Sequence, residues 1–482
     1  MAFREVSRRR LLQSALASGT AATLAACGAT PTPQVIKEVV TQVVEKEVTK
    51  IVEGTPQVVV ETVVVESTVV VEKEVEITAA VQPVTLTLWH HWGGTREPLL
   101  AAAFEDFAAR NPGVTVEPTL IPWDSKEQTI LTAVAAGEAP DVLMLNASEM
   151  PPYALNQAIM PVDDLIAEAG IAADEVYESD WAVTQFEGKI WGLPHTVGEA
   201  AQLLFFNTQH FEEAGLDPAA PPASWTDLRQ ATEALIGKQG EDIQRLGLLI
   251  GASGWTWLNF LAENEAAWLS GDAREVQMDN PDAAEALQFI VDLTDAQGGA
   301  EQVAGFVSAG GESDPFYSGR TAMAYSGVWN YFLLKTNAPE LRYGSAVAPN
   351  NKGQFHEANY GPHLWTLPAT GQHIPEAWKL AMWMSRDDGG CQFLVAQLRP
   401  SPWKACNEGS ALSQLAGYWS VVEAALTSAR PEPRTPVFNQ FLSIWDEMLD
   451  KATRHESDAA ATITWAAAEM TTANDEFWQS QG

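Results

Sequence analysis

Two histidines and an acid, His90, His91 and Glu97, are the first residues in this chain whose types suggest chemistry. Three such side chains around one ion would make a zinc-type site. Neighbouring residues at a strand end point to opposite faces, so the two imidazoles diverge, and no other histidine pair has the i, i+4 spacing of a helical ligand set. No metal is expected. The cysteines, Cys27, Cys391 and Cys406, form no C-x-x-C pair. Gly251-Ala252-Ser253-Gly254 lacks the spacing of a nucleophile elbow, and no glycine-rich loop opens a helix to cradle phosphate. Neither a catalytic residue nor a cofactor is expected. The 63 Asp and Glu residues are too many for a glycosidase pair to stand out.

Tryptophan carries more information. Of the 18 in the chain, Trp89, Trp92, Trp255, Trp257, Trp329 and Trp403 fall in stretches expected to face solvent or a ligand. A pyranose offers a flat C–H face that packs on an indole while its hydroxyls seek Asp, Glu, Asn and Arg, so these six are candidate carbohydrate contacts.

The elements that must position them are readable. Val84–Trp89 predicts a strand, 97–110 a helix with Leu100, Ala103, Phe104 and Phe107 on its apolar face, and 113–118 a second strand. A helix near 125–136 and a buried strand, 142–145, complete a β-α-β-α-β order, hence a parallel sheet covered by helices. Ligands of such sheets sit beyond the carboxyl ends of the strands. That rule selects Trp89, His90, Trp92 and the Gly93-Gly94 turn after the first strand, with Thr95 as a helix cap, and Asn146 after the third. Helices are expected at 225–236, capped by Ser224, and at 281–296, 375–384, 437–452 and 457–477. The globular part, about 400 residues, exceeds the size at which one core stops growing, so two lobes are expected.

The amino terminus reads as an export leader. Ser7-Arg8-Arg9-Arg10-Leu11-Leu12 resembles a twin-arginine signal, and Leu24-Ala25-Ala26-Cys27-Gly28 resembles a lipobox, which would cleave after residue 26 and leave Cys27 to carry lipid. No later segment offers about 18 uninterrupted apolar residues, so the lipid would be the anchor. Losing 1–26 takes the formal charge from -35 to -38, which excludes nucleic acid as a partner. Export also permits Cys391 and Cys406 to pair, but spacing alone leaves a disulfide and two buried thiols both open. Residues 27–83 are a low-complexity Val/Glu/Lys/Thr tether in which Val-Glu-Lys-Glu-Val occurs at 44–48 and 71–75. A helical stripe and a β-branched composition compete there. As a coil it would reach about 40 Å, as a helix about 75 Å, and a self-associating valine coiled coil is a third form.

Three stretches fall in a family order: 132–146 (TAVAAGEAPDVLMLN), 203–228 (LLFFNTQHFEEAGLDPAAPPASWTDL) and 316–330 (FYSGRTAMAYSGVWN). With FEDFAARNPGVTVE at 104–117, they resemble the family 1 extracellular solute-binding proteins of ATP-driven importers, of the maltose-binding type. The resemblance implies an α/β, two-lobed periplasmic-binding-protein-like fold (type II), each lobe a central sheet flanked by helices, with the ligand cleft between lobes. It implies lobe one at 84–197 plus 349–397 and lobe two at 198–348 plus 398–482. It carries ligand contact onto Glu199, Asp141 and Trp403, and most directly onto Trp329. The chain departs from the pattern at His90-His91 and His195. The expected function is a lipid-anchored, monomeric sugar-binding component on the outer face of the cell membrane, delivering its ligand to a membrane permease by hinge closure. A carbohydrate-active enzyme, or a binder of peptide, polyol or sugar phosphate, is the alternative.

Overall fold

The computed structural model describes residues 34–40, 43–52, 55–64, 69–75, 83–198, 203–240, 242–250, 253–310, 314–353, 358–359, 361–415 and 417–481. The leader and Cys27 lie outside them. The chain divides into two units, 1–82 and 83–482.

In the first unit the β-branched composition prevails over the helical stripe. The strands are β1 (Gln34–Val40), β2 (Val43–Val52), β3 (Thr55–Val64) and β4 (Val69–Val75). β2 pairs antiparallel with β3 and β1 with β4, so Val52 faces Thr55 and Gln34 faces Val75. These are two separate two-stranded sheets, in one of which the first and last described residues of the unit, Gln34 and Val75, stand opposite each other. Of the forms left open by the sequence, the described residues take the strand that their β-branched composition favours.

The second unit follows the expected order. β5 (Val84–His90), α1 (Glu97–Arg110), β6 (Val114–Leu120), α2 (Lys126–Ala136) and β7 (Val142–Asn146) build a parallel core. β8 (Leu193–Pro194) closes this first half of the sheet's supply. β9 (Leu203–Asn207), β10 (Gly237–Gln239), β11 (Asp242–Leu249), β12 (Thr321–Ser326) and β13 (Tyr343–Val347) belong to a second sheet, and β14 (His363–Thr366) returns to the first. The orders are β8-β14-β7-β5-β6 and β10-β11-β12-β9-β13.

The central strands β7 and β9 are buried on both faces, which is why they read as continuous apolar runs. In β7, Val142 and Met144 enter one core cluster and Leu143 and Leu145 another. In β9, Leu204 and Phe206 pack with Trp225, Trp257 and Trp445, while Leu203 and Phe205 pack with Tyr331 and Tyr418. The helices lie close to the expected spans, among them Trp225–Leu235, Pro281–Ala296, Ile374–Ser385, Phe438–Thr453 and Ala459–Ser480. Ser224 caps its helix by accepting from the Asp227 amide at 3.1 Å. Thr95 does not cap α1: the Glu97 carboxylate instead accepts from the Gly94 amide at 2.8 Å, and Gly94 takes the left-handed φ of 66° that this tight turn needs. Among the described residues no helix is long and apolar enough to cross a membrane. Cys391 and Cys406 form a disulfide, with Cα atoms 5.3 Å apart.

Candidate functional site

Parallel β5, β6 and β7 end at one edge of the first sheet, and antiparallel β14 begins there, since His363 stands opposite Asn146. Four loops therefore converge. β5 delivers His91 and Trp92, the loop after β6 delivers Trp123, β7 delivers Asn146, and the segment after β8 delivers His195 and Thr196.

The result is an imidazole and indole cluster. The Trp92 indole N–H donates to His363 Nε2 at 3.3 Å, and its ring centroid lies 5.2 Å from that of His195. His91 lies 4.6 Å from His363 and edge-on to Trp123 at 4.9 Å. His90 turns away: it is buried, its Nδ1 accepts from the Trp92 amide, and burial lowers its pKa against the pull of Glu97. Among the described residues no group of three or more His, Cys, Asp or Glu is placed to hold a metal ion.

Trp123 is 42% exposed, unusual for an indole at the mouth of a buried sheet. The Lys126 ammonium sits 3.5 Å from its ring centroid and is paired at 2.7 Å with Glu149, and both charged side chains are buried. The Trp123 indole is thus the exposed aromatic surface of this loop, held from below by a buried ion pair. Asn146 holds this loop by accepting from both the amide and the hydroxyl of Ser148.

The second sheet contributes from the carboxyl end of β12. Trp329 follows it, half-buried, at the start of the helix Asn330–Asn337. A Cβ at Gly327 would overlap the Trp329 ring, so only glycine leaves the indole room to lie back over the chain. Buried Arg399 joins the halves: its guanidinium carbon is 5.1 Å from the Trp92 ring centroid and 6.0 Å from that of Trp329. Two further contacts cross between the sheets' halves. Asn439 donates to Glu127 at 2.6 Å, and the Arg96 charge acts on Tyr317.

Among the expected site residues, Trp92 and Trp329 both lie against Arg399, and Asn146 stands opposite His363, the partner of Trp92; Trp92, Asn146 and His90 are buried, Trp92 within the first core, and Trp329 is half-buried. Others lie elsewhere. Trp257 is fully buried in the second core, on the helix Gly254–Glu263, where it meets Leu and Phe rather than a cleft. Trp403 is buried in the first core, its indole N–H donating to Ser385 Oγ at 2.9 Å. Trp255 packs edge-on against Phe438, and Trp89 packs on the core beneath β7. Asp141 is a clamp: one carboxylate oxygen accepts from both the amide and the hydroxyl of Thr87, at 2.8 and 2.9 Å. It precedes β7, about 16 Å along the strand from Asn146, at the wrong end for ligand. Glu199 lies outside the described residues. Trp123, His363 and Arg399 were not anticipated. Trp123 was accessible to the strand-end rule, as it follows β6 in the same parallel set.

A cavity of about 780 Å³ runs beside β13, lined by Phe206, Tyr331, Tyr343 and Tyr418 among others. Apart from Leu398, its lining comes from the second sheet and the helices packed on it, so closure of two lobes would not enclose it.

Comparisons with known proteins agree with this fold. The chain is 29% identical over 191 residues to the sn-glycerol-3-phosphate-binding periplasmic protein UgpB of Escherichia coli K12, a match covering 38% of this chain and 41% of that protein. Its fold is similar to CpMnBP1 with bound mannotriose (TM-score 0.72, 22% identity, 80% of this chain and all of that one). It is also similar to the sugar-binding protein MalE of Xanthomonas citri (TM-score 0.69, 20% identity, 82% and 98%). The model of the bacterial extracellular solute-binding proteins matches residues 92–390, and this two-sheet α/β chain belongs to that family.

Proposed function

We propose that this protein captures a sugar or short oligosaccharide outside the cell and delivers it to the permease of an ATP-driven importer. The observation that supports this reading is that Arg399 lies against Trp92 from one half and Trp329 from the other, with the exposed Trp123 beside His91 at the same strand ends of the first sheet. The cleft between sheets is open to solute in one state and closed in another. Aromatic faces and polar groups from both halves engage the ligand, and the closed form is favoured because it alone makes both sets of contacts. Closure presents a single rigid surface to the permease, so transport follows binding without chemistry at the ligand. The twin arginines and Cys27 support export and lipid anchoring.

A phosphorylated polyol is the second reading, favoured by the guanidinium of Arg399 in the cleft and by the partial match to a glycerol-phosphate binder. Calorimetric titration against mannooligosaccharides, maltodextrins and sn-glycerol 3-phosphate distinguishes them. Saturable binding of an oligosaccharide with no product formed supports the proposal. Binding of the phosphate ester alone supports the second reading, and steady cleavage of an oligosaccharide overturns both.

A further inference from the structure

The second sheet ends on β13, and among the described residues no strand pairs with its outer side. Its register with β9 fixes what that side presents. In an antiparallel pair, residues that exchange backbone hydrogen bonds alternate with residues whose N–H and C=O groups point away from the partner strand. The Thr208 amide donates to the Arg342 carbonyl at 3.0 Å, one step beyond the pairing of Asn207 with Tyr343. Gly344 and Ala346 therefore direct their backbone groups at β9, while those of Tyr343, Ser345 and Val347 point outward. An open edge of this kind is a liability unless something guards or fills it.

Here the edge is the floor of a slot. All five residues of β13 line the cavity of about 780 Å³. Side chains alternate between the two faces of a strand, so a cavity that touches five in succession runs along the edge itself. Its walls come from both sides of the sheet: Tyr331 and Tyr418 belong to the core around Phe205, and Phe206 and Ala346 to the core around Trp225. The first wall is held in place, since the Tyr331 and Ser345 hydroxyls share a hydrogen bond of 2.6 Å and the Tyr418 hydroxyl donates to the Leu398 carbonyl at 2.6 Å. No residue lining the cavity is charged. Leu415, also in the lining, is 41% exposed, one of three large apolar side chains left so open among the described residues.

The chemistry of the slot selects its occupant. Main-chain donors and acceptors recurring every second residue along a floor are matched by another backbone. Apolar walls on both sides accept apolar side chains at odd and even positions alike, as in a strand buried on both faces. A second copy of β13 does not reach this floor, because each of its residues is only half-exposed between the same walls. We propose that the slot binds an extended, uncharged apolar segment of a partner polypeptide, about five residues or 17 Å long, as a strand added beside β13.

The test follows fluorescence anisotropy of labelled peptides on the full chain. The probes are pentamers of Val, Ile and Phe flanked by Gly-Ser, each also made with every amide of the apolar run N-methylated. The expected result is saturable binding of at least one probe, and its loss on N-methylation, which keeps the side chains and removes the donors. Ser345→Pro removes an outward N–H without touching the bonds to β9 and should weaken binding about tenfold, whereas Ser345→Ala keeps that N–H, loses only the contact with Tyr331 and should bind like the parent. Ala424→Trp, at an exposed position of the helix Trp419–Ser428 that lines the slot, should fill it and abolish binding, with circular dichroism confirming the fold. A parent that binds no probe, an N-methylated probe that binds as well as its parent, or unchanged binding by Ala424→Trp overturns the proposal. Calorimetry with mannotriose reads the other occupant: mannotriose bound by the parent and displaced by Ala424→Trp makes the cavity a solute site and overturns it too.

Discussion

Replacing Asp180 by Asn should abolish much of the pH dependence of stability between pH 4 and 7. Asp180 lies on the short helix Glu178–Ala182 and is 2% exposed. Its Oδ1 accepts from the Gly198 amide at 2.9 Å and from the Asn359 side chain at 2.7 Å. Gly198 lies on the path from β8 to β9 and Asn359 on the path from β13 to β14, so one carboxyl ties together both segments that run between the sheets. Burial pushes its pKa from 3.8 up to about 7, with the bonds from Asn359 and Gly198 opposing. Below the unfolded value both states carry the proton. Between the two values the folded state holds a proton that the unfolded state has released, so stability falls as pH rises, until the folded group also ionises. The shift is worth about 4 kcal/mol in total. Asn keeps an oxygen for both donors and carries no charge to bury, so Asp180→Asn should lack this slope and gain on the parent above pH 7. Urea unfolding followed by tryptophan fluorescence at half-unit pH steps reads it. Parallel curves for the two proteins would refute the assignment, since every other titrating group is common to both.

Three further outcomes are expected. Gly327→Ala should displace the Trp329 ring and weaken ligand binding about tenfold, with unfolding stability changed little, as measured by titration and melting. Asp141→Ala should cost about 2–3 kcal/mol of stability by stranding the Thr87 donors yet leave affinity unchanged, which a ligand contact would not do. Reducing the Cys391–Cys406 disulfide, which closes a separation of 15 residues, should lower stability by about 3 kcal/mol, read as a fall in Tm with reductant that a Cys391→Ser, Cys406→Ser chain does not repeat.

Local signals carried the first sheet almost entirely. The apolar period of α1, the Asn111-Pro112-Gly113 break and the four-residue apolar run of β7 each depend on neighbours in sequence, and each lies within a residue or two of its expected span. Long-range convergence was not legible. His363 reaches the Trp92 loop from 271 residues away, and no local pattern marks it. Trp257 and Trp403 misled for a related reason: an indole in an amphipathic or loop-like stretch satisfies core and cleft equally well until its neighbours are known, and here they are Leu, Phe and Ser385. In the valine-rich segment the side-chain spacing fitted a helix, but χ1 crowding of β-branched residues favours the extended backbone observed.

The central claim is that one solute is gripped from both sheets at once. The direct test is a double-mutant cycle on ligand affinity with Trp123→Ala and Trp329→Ala, each residue standing on a different sheet. If closure needs both contacts, each single change should cost about 2 kcal/mol or more and the double change clearly less than their sum. Losses that add, or a variant that binds as tightly as the parent, would contradict a ligand held between the two halves.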